Sequence, residues 1–357
     1  MSLTITTRMI AMAPVAALCG LLIAGNAAAG ETYPKFSGGI SIEVQYDDTH
    51  DADDPAAELS DLYTTTEPEL VVEFQPGLSL LLHGVLEPVQ DATDDRTFED
   101  HGLYVQELYL GYEGERFSLL GGKFSPNFGT AWDATPGVYG TDFAADYEIT
   151  EQIGAQGAAK LDDWLPGAHR LSLGTFFVDT TSLGESAFDN RGRTTKSAGG
   201  VGNTEDFSSF AIALDGGDIA AAPGLSYHLA HLHRAAGRGD ATDERAIAVG
   251  GQYQGEAGPL SLAALAEVAW FDDADGVRDQ DRDYLTAGLQ LGWRAWNLAV
   301  SGTGRDMDVG GNDQLLQISA GYQFDIGLTV DVGWKTTDEG GSDADTVGIL
   351  FTYGFEF

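Results

Sequence analysis

Apolar residues recur at every second position in segments of about ten residues, the length of a transmembrane strand. This alternation predicts strands with one apolar face, whereas a helix would need apolar residues three or four positions apart. No apolar segment after residue 29 is long enough for a membrane helix. If the chain lies in a membrane, it therefore crosses as a β-barrel, because only helices and closed barrels satisfy their backbone groups in lipid.

Sixteen segments carry the alternation and are predicted as strands. Their predicted bounds are Phe36–Tyr46, Pro68–Phe74, Leu78–Glu87, Gly102–Tyr112, Arg116–Phe124, Ile149–Lys160, Arg170–Thr181, Asp206–Leu214, Leu225–Ala235, Glu244–Gln254, Leu260–Phe271, Asp283–Trp293, Asn297–Arg305, Asp313–Phe324, Leu328–Thr336 and Thr346–Phe357. The even-numbered connectors are mostly short, such as "QPG" and "DIG", and the odd-numbered ones are generally longer and acidic, such as "DDTHDADDPAAELSDLYTTTE". Transmembrane barrels show this asymmetry, because they have short turns at one end and long loops at the other. A soluble β-sandwich is not expected to sort its connections by length in this way.

The first 29 residues have the composition of a secretory signal peptide. Arg8 precedes an apolar segment at 11–24 that lacks acidic residues, and "NAAA" at 26–29 offers small residues for cleavage. We therefore predict a signal peptide at 1–29 and a single β-barrel at 30–357. The chain's one cysteine, Cys19, falls in the signal, so the mature chain is predicted to have neither disulfides nor thiol chemistry.

The formal net charge of −38 excludes a nucleic-acid-binding protein, because the sequence has no basic patch that could contact the phosphates. A disordered acidic chain is disfavoured by a hydrophobic content of 43% and an aromatic content of 10%. No spacing of Ser and His marks a nucleophile with its base, so no enzyme is predicted.

Two segments resemble Gram-negative outer-membrane porins. These barrels commonly end on Phe with aromatic or apolar residues alternating before it, as in Ile349, Phe351, Tyr353, Phe355 and Phe357. The stretch "GGKFSPNFGTAWD" at 121–133 resembles the junction between strand five and the third loop, and it is also similar to a stretch in phosphate-selective porins of the O and P type.

The resemblance implies a sixteen-stranded antiparallel transmembrane β-barrel in the outer membrane, with the third outer loop folded into the pore. Eighteen strands remain the alternative. The resemblance to porins also implies a homotrimer and recognition of the terminal aromatic residues by the barrel-assembly machinery. Outer-membrane lipid and lipopolysaccharide are further expected partners.

Strand alternation predicts which charged residues line the pore, since Lys or Arg facing lipid at mid-bilayer costs about 2–4 kcal/mol. Charged residues opposite the apolar faces form a mainly acidic wall: Glu43, Glu73, Glu107, Glu267, Asp331 and Lys335. Lys123 shares its parity with Phe117 and Leu119, and a β-bulge near Gly121 and Gly122 would bring it inside.

The third loop is the predicted constriction. Its candidate residues are Lys123, Asp133, Asp142, Asp146 and Glu148, and its aromatic residues could pack it against the wall. The alternative is a solvated outer loop. General porins place a basic cluster opposite such a loop, and four residues are candidates for it here: Lys123, Lys160, Arg170 and Arg234. In either arrangement the pore mouth is negative, which favours cations.

The sequence thus predicts a water-filled channel for passive diffusion of small hydrophilic solutes, with a preference for cations. One alternative is a substrate-selective channel like the phosphate porins, which would need a ladder of Lys and Arg. The other is a plugged structural or adhesive barrel.

No cofactor is predicted, although "DDADGVRDQD" at 272–281 is a weak candidate for Ca²⁺. Its possible ligands are Asp273, Asp275, Asp279 and Asp281. The spacing is not that of an EF-hand, so a solvated acidic loop is favoured. His231 and His233 share a strand face, but without a third ligand they are predicted as wall residues.

Overall fold

The computed structural model describes residues 32–162 and 166–357, so the predicted signal peptide at 1–29 lies outside the described residues. The described residues form a closed antiparallel barrel of sixteen long strands, as predicted. The strands are β1 Lys35–Ala52, β2 Ser60–Gln75, β3 Leu78–Pro88, β4 His101–Glu113, β5 Phe117–Phe124, β6 Gln152–Lys160, β7 Ala168–Val178, β8 Ser209–Gly217, β9 Leu225–Arg234, β10 Glu244–Ala257, β11 Leu260–Asp272, β12 Arg282–Trp293, β13 Trp296–Met307, β14 Gly311–Gln323, β15 Thr329–Glu339 and β16 Ser342–Glu356.

The first and last strands close the barrel. β1 pairs antiparallel with β2 on one side and with β16 on the other, along almost its whole length. Gly38 and Phe357 exchange two backbone hydrogen bonds of 2.9 and 3.1 Å. The final residue of the chain is therefore part of the closing seam.

The two faces of the barrel wall have opposite character. Apolar side chains on the outer face are exposed, for example Leu173, Ile247, Leu285, Val300, Ile318 and Phe351. The alternate positions point inward and are often buried polar residues, for example Ser172, Thr286, Ser301, Gln317, Ser319 and Thr352. This arrangement suits a barrel in lipid, since every strand presents its apolar face outward.

The connections differ at the two ends of the barrel. At the turn end the strands are joined by short segments, such as 76–77 and 294–295, and at the loop end the longest segments are 125–151 and 179–208. We call these two segments loop three and loop four. Loop three contains the helix α1, Ala131–Ala134, and a 3₁₀ turn at Ala144–Tyr147. Other 3₁₀ turns are Pro55–Ala57, Ser182–Gly184, Lys196–Ala198 and Ala274–Gly276. Within residues 32–162 and 166–357, no helix has the length and hydrophobicity needed to span a membrane.

The first outer connection is shorter than predicted. β1 continues to Ala52 and β2 begins at Ser60, so much of the segment at 47–67 is strand. Paired residues in this region are polar, as in Asp48 opposite Ser60. Strands that continue beyond the apolar band need no apolar face, and the alternation in the sequence therefore stops before the strands do.

Loop four pairs with the part of β4 that β5 does not reach. The pairing of β4 with β5 ends at Leu108, opposite Lys123, because the chain then turns into loop three. Farther along β4, the two-residue strand Ala187–Phe188 of loop four pairs with Gly102 and Leu103. A second short strand, Arg96–Thr97, pairs in parallel with β2.

Candidate functional site: the pore constriction

Loop three lies inside the barrel, as the sequence resemblance implied. Its residues form hydrogen bonds with inward side chains on β8, β9, β11 to β15 and β1. The wall residues contacted in this way are Asp215, His228, Glu267, Tyr284, Arg305, Gln317, Lys335 and Asp47. The loop therefore runs along the inner wall from β8 to β1 and narrows the lumen.

Glu267 on β11 is the main anchor of the loop. Its carboxylate accepts hydrogen bonds from the backbone N–H groups of Thr130 and Ala131 at 2.9 Å, and from the Tyr147 hydroxyl at 2.8 Å. The side chain is only 2% exposed, and Gly250 on β10 leaves room for it, since a Cβ there would lie 2.6 Å from Glu267 Oε2. The inward direction inferred from the sequence is observed, but this carboxylate faces the loop and not the open lumen.

His228 on β9 binds the loop at Gly129, one residue before Thr130. Its Nε2 accepts a hydrogen bond from the Gly129 N–H at 3.0 Å, and its Nδ1 lies 2.7 Å from Asp215 Oδ1. Because Nε2 acts as the acceptor, the imidazole is neutral with its proton on Nδ1. Asn127 donates to the other carboxylate oxygen of Asp215 at 2.8 Å, which fixes the start of the loop.

An aromatic cluster packs the loop against the wall. Phe128 and Tyr147 of the loop meet Phe271 of β11 and Tyr284 of β12, with ring centroids 5.0 to 6.5 Å apart. All four side chains are buried. A further aromatic residue of the loop, Tyr139, is buried elsewhere along it, so aromatic residues pack loop three against the wall as expected from the sequence.

Two basic residues of the wall hold the far half of the loop. Arg305 on β13 pairs with Asp146, and Lys335 on β15 pairs with Asp142 at 2.7 Å. Beside them, the Tyr139 hydroxyl donates to Asp47 of β1 at 2.6 Å. Asp142 and Asp146 are therefore each paired with a basic residue of the wall, and Arg305 also pairs with Asp313 and Glu339.

Lys123 lies buried at the base of loop three. Its Nζ is 2.7 Å from Glu151 and 2.9 Å from Asp179, and Arg191 of loop four pairs with the same Glu151 at 2.5 Å. The bulge inferred from the sequence is wrong, because the strand registers on both sides pass Gly122 without a shift. Gly122 has instead a φ of +144°, so a glycine conformation redirects the strand.

The two remaining acids of the loop have no cationic partner within hydrogen-bonding distance among the described residues. Burial raises the pKa of Asp133 to about 6. Burial, followed by the neighbouring charges of Asp133, Glu87, Glu67 and Glu107, raises the pKa of Glu148 to about 7. The last three of these acids belong to β3, β2 and β4 respectively, so the free face of the loop lies opposite an acidic wall.

The predicted wall acids occupy different levels of the barrel. Glu107 accepts a hydrogen bond from the Ser125 N–H at 2.9 Å, where loop three begins. Asp331 accepts a hydrogen bond from Asn297 at 3.0 Å, and Glu43 lies opposite Thr352 in the pairing of β1 with β16. Glu73 accepts from the Gly77 N–H at 3.4 Å, which places it at the turn end and away from the loop.

A family match decides what kind of barrel this is. The model of the Gram-negative porin family matches residues 14–356. The chain belongs to the Gram-negative porin family. It is accordingly a passive diffusion channel of the outer membrane, with its turn end at the periplasm.

Solved outer-membrane channels share the fold of this porin. DcaP of Acinetobacter baumannii has a TM-score of 0.57 and 12% identity, over 93% of the porin and 100% of that chain. OprB of Pseudomonas putida has a TM-score of 0.61 and 11% identity, over 90% and 94% of the two chains. OccK1 of Pseudomonas aeruginosa has a TM-score of 0.52 and 10% identity, over 90% and 99%. No curated protein matches the porin significantly.

The terminal strand of the porin presents its aromatic residues to the outside. Phe351, Tyr353, Phe355 and Phe357 are each more than two-fifths exposed, and Ile349 on the same parity is partly buried. All five lie on or directly after β16, beside β1. They are therefore available on the outer face, and their part in assembly stays a prediction.

Two of the four aspartates considered for Ca²⁺, Asp273 and Asp275, have carboxylates that bind other groups of the porin. Asp273 accepts hydrogen bonds from the Asp279 N–H at 2.8 Å and from Thr242, and Asp275 pairs with Arg282 at 2.6 Å. The Asp281 N–H donates to Asp308. Across 32–162 and 166–357, no three His, Cys, Asp or Glu side chains are grouped as metal ligands.

Sequence reasoning missed several residues that position the porin's loop. Arg305 was not among the four basic candidates, although it shares its parity with inward Thr303 on β13. Phe271 and Tyr284 also lie on the inward parity, where a large aromatic residue would be unusual in a water-filled lumen. An aromatic side chain at such a position is the signal that something packs against the wall from inside.

Proposed function

We propose that this passive diffusion channel prefers cations to anions. The observation that carries the proposal is the distribution of charge around the narrowed lumen. Asp142 and Asp146 are paired with wall cations, while Asp133 and Glu148 face the acids of β2, β3 and β4. Fixed carboxylates on both sides of a narrow aqueous passage concentrate cations and deplete anions.

The phosphate-selective alternative would need basic side chains that are free to bind an anion. Lys123, Arg191, Arg305 and Lys335, which contact loop three or its base, are all held by carboxylates. A lysine or arginine that is already paired with a carboxylate attracts a passing phosphate only weakly. The plugged-barrel alternative gains no support, since the match to the porin family indicates a passive diffusion channel.

A zero-current potential measured across a planar bilayer tests the proposal. With a tenfold KCl gradient, the wild-type channel should give a potential with the sign of the potassium equilibrium potential. The bias should weaken at high salt, because the Debye length falls from about 10 Å at 0.1 M to about 3 Å at 1 M. A zero-current potential with the sign of the chloride equilibrium potential would refute the cation preference.

We also propose that the terminal residues serve assembly through the barrel-assembly machinery. Deleting Phe357 removes an exposed aromatic residue and both of its backbone bonds to Gly38. The yield of heat-modifiable, folded barrel in the outer membrane should fall several-fold. Deleting the exposed Val309 in the connection between β13 and β14 is a matched control and should leave the yield unchanged. Equal yields for both deletions would contradict the role.

The homotrimer, the contact with lipopolysaccharide and binding of Ca²⁺ to the outer loops stay predictions. The proposal assigns the porin no catalytic activity and no resident cofactor. Its solutes are small hydrophilic molecules and cations.

A further inference from the structure

His83 on β3 is a buried histidine on the inward parity of the barrel wall. Its side chain is 5% exposed, and its Nε2 has no hydrogen-bond partner among the residues that the structure describes. The nearest carboxylate oxygen recorded for this nitrogen is Oε2 of Glu67 on β2, at 3.9 Å. A buried nitrogen without a partner is costly, so it calls for an explanation.

The surroundings of His83 are acidic on both sides. In the strand register it lies directly opposite Glu69 of β2 and Glu107 of β4. Side chains in such positions share a face, with Cβ atoms about 4.5–5.5 Å apart. Glu107 also accepts a hydrogen bond from the Ser125 N–H. His83, Glu69 and Glu107 therefore lie at the level of the barrel where loop three begins.

The separation of 3.9 Å is too long for a hydrogen bond. Two ligands of a tetrahedral zinc ion lie about 3.4 Å apart, since zinc binds nitrogen at about 2.0–2.1 Å and carboxylate oxygen at about 2.0–2.2 Å. A shift of about 0.5 Å by the partly exposed Glu67 side chain would therefore let both atoms bind one ion. A neutral imidazole provides the lone pair that such an ion requires. Mg²⁺ and Ca²⁺ prefer oxygen ligands, whereas Zn²⁺ and neighbouring transition metals accept imidazole.

We propose that His83 and Glu67 form a binding site for a divalent transition-metal ion such as Zn²⁺ on the pore wall. Water completes the coordination, because the described residues contain no group of three protein ligands. Two protein ligands hold an ion weakly enough for it to leave, as conduction requires. The site goes beyond the cation preference, since it depends on a nitrogen ligand and not on net negative charge.

Block of potassium current by Zn²⁺ tests this site in the intact channel. Zn²⁺ should reduce single-channel current at concentrations where Mg²⁺ has no effect. His83→Gln should raise the half-blocking concentration at least about tenfold, because even the loss of a group outside the coordination shell typically costs that much. Glu67→Gln should act in the same direction.

His231→Gln is the matched control, because His231 shares an outward strand face with Leu229 and should leave zinc block unchanged. Calorimetric titration of the detergent-solubilised barrel with Zn²⁺ gives a second readout and should lose the same site in His83→Gln. Equal block by Zn²⁺ and Mg²⁺, or unchanged block in both variants, would overturn the proposal. The zero-current potential of His83→Gln in metal-free KCl reports separately on the cation preference.

Discussion

Replacing the two free acids of loop three, Asp133→Asn together with Glu148→Gln, is expected to remove most of the cation preference. Each fixed charge at about 6 Å from a passing ion is worth roughly 0.7 kcal/mol in water, or about threefold in local cation concentration. Two charges therefore raise the local cation concentration by up to about tenfold and lower the local anion concentration by about the same factor. The zero-current potential in a KCl gradient should move toward zero accordingly.

Asp331→Asn is the matched control, because Asp331 faces the lumen and bonds to Asn297, away from the loop. It should shift the potential less than the double variant. An unchanged potential in the double variant would contradict the role of Asp133 and Glu148.

Acidification should act on the wild-type channel like the double substitution. The raised pKa of each free acid means that it is negative well above pH 7 and neutral near pH 5. The cation preference should therefore be full at pH 8 and fall as the pH drops through about 7 and 6. Glu67, Glu87 and Glu107 face the same passage, so some preference should persist in the variant at high pH.

Removing the main anchor of the loop should have the largest effect on the pore itself. Glu267→Ala leaves the N–H groups of Thr130 and Ala131 and the Tyr147 hydroxyl without their acceptor. Each buried donor left unsatisfied costs about 1–3 kcal/mol, so the loop should detach from β11. Single-channel recordings should show a higher mean conductance and frequent steps between levels.

Two further variants separate anchoring from charge. Glu267→Gln keeps one acceptor oxygen and should be intermediate, whereas Glu73→Ala removes a wall acid at the turn end and should keep a steady current. Folding of each variant is checked by heat modifiability. A quiet, wild-type current in folded Glu267→Ala would show that the loop does not depend on this carboxylate.

The strands and their facing could be predicted because lipid imposes a simple rule on each residue. An outward side chain must be apolar, so alternation in the sequence carries both the strand and its orientation. The rule stops at the edge of the apolar band, which explains why β1 and β2 extend beyond their predicted ends. It also fails at Lys123, where Gly122 adopts a conformation that only the backbone reveals.

The partners within the lumen could not be predicted in the same way. Parity places Glu267 and Lys335 on the inner face, but it does not distinguish a carboxylate that meets water from one that meets backbone N–H groups. That distinction depends on where loop three runs, which is decided by contacts between residues far apart in the sequence, such as Thr130 with Glu267, 137 positions away. The basic residue opposite Asp146 was missed for the same reason.

The seam between β1 and β16 sets an order for biogenesis. The Thr49 and Thr346 hydroxyls, 297 positions apart, are hydrogen-bonded across it at 2.8 Å. Pairings so distant in sequence form slowly, and until they form both edge strands carry unpaired N–H and C=O groups. The barrel cannot close before β16 has been exported, and during that interval both edges of the sheet are open to pairing with strands of other chains.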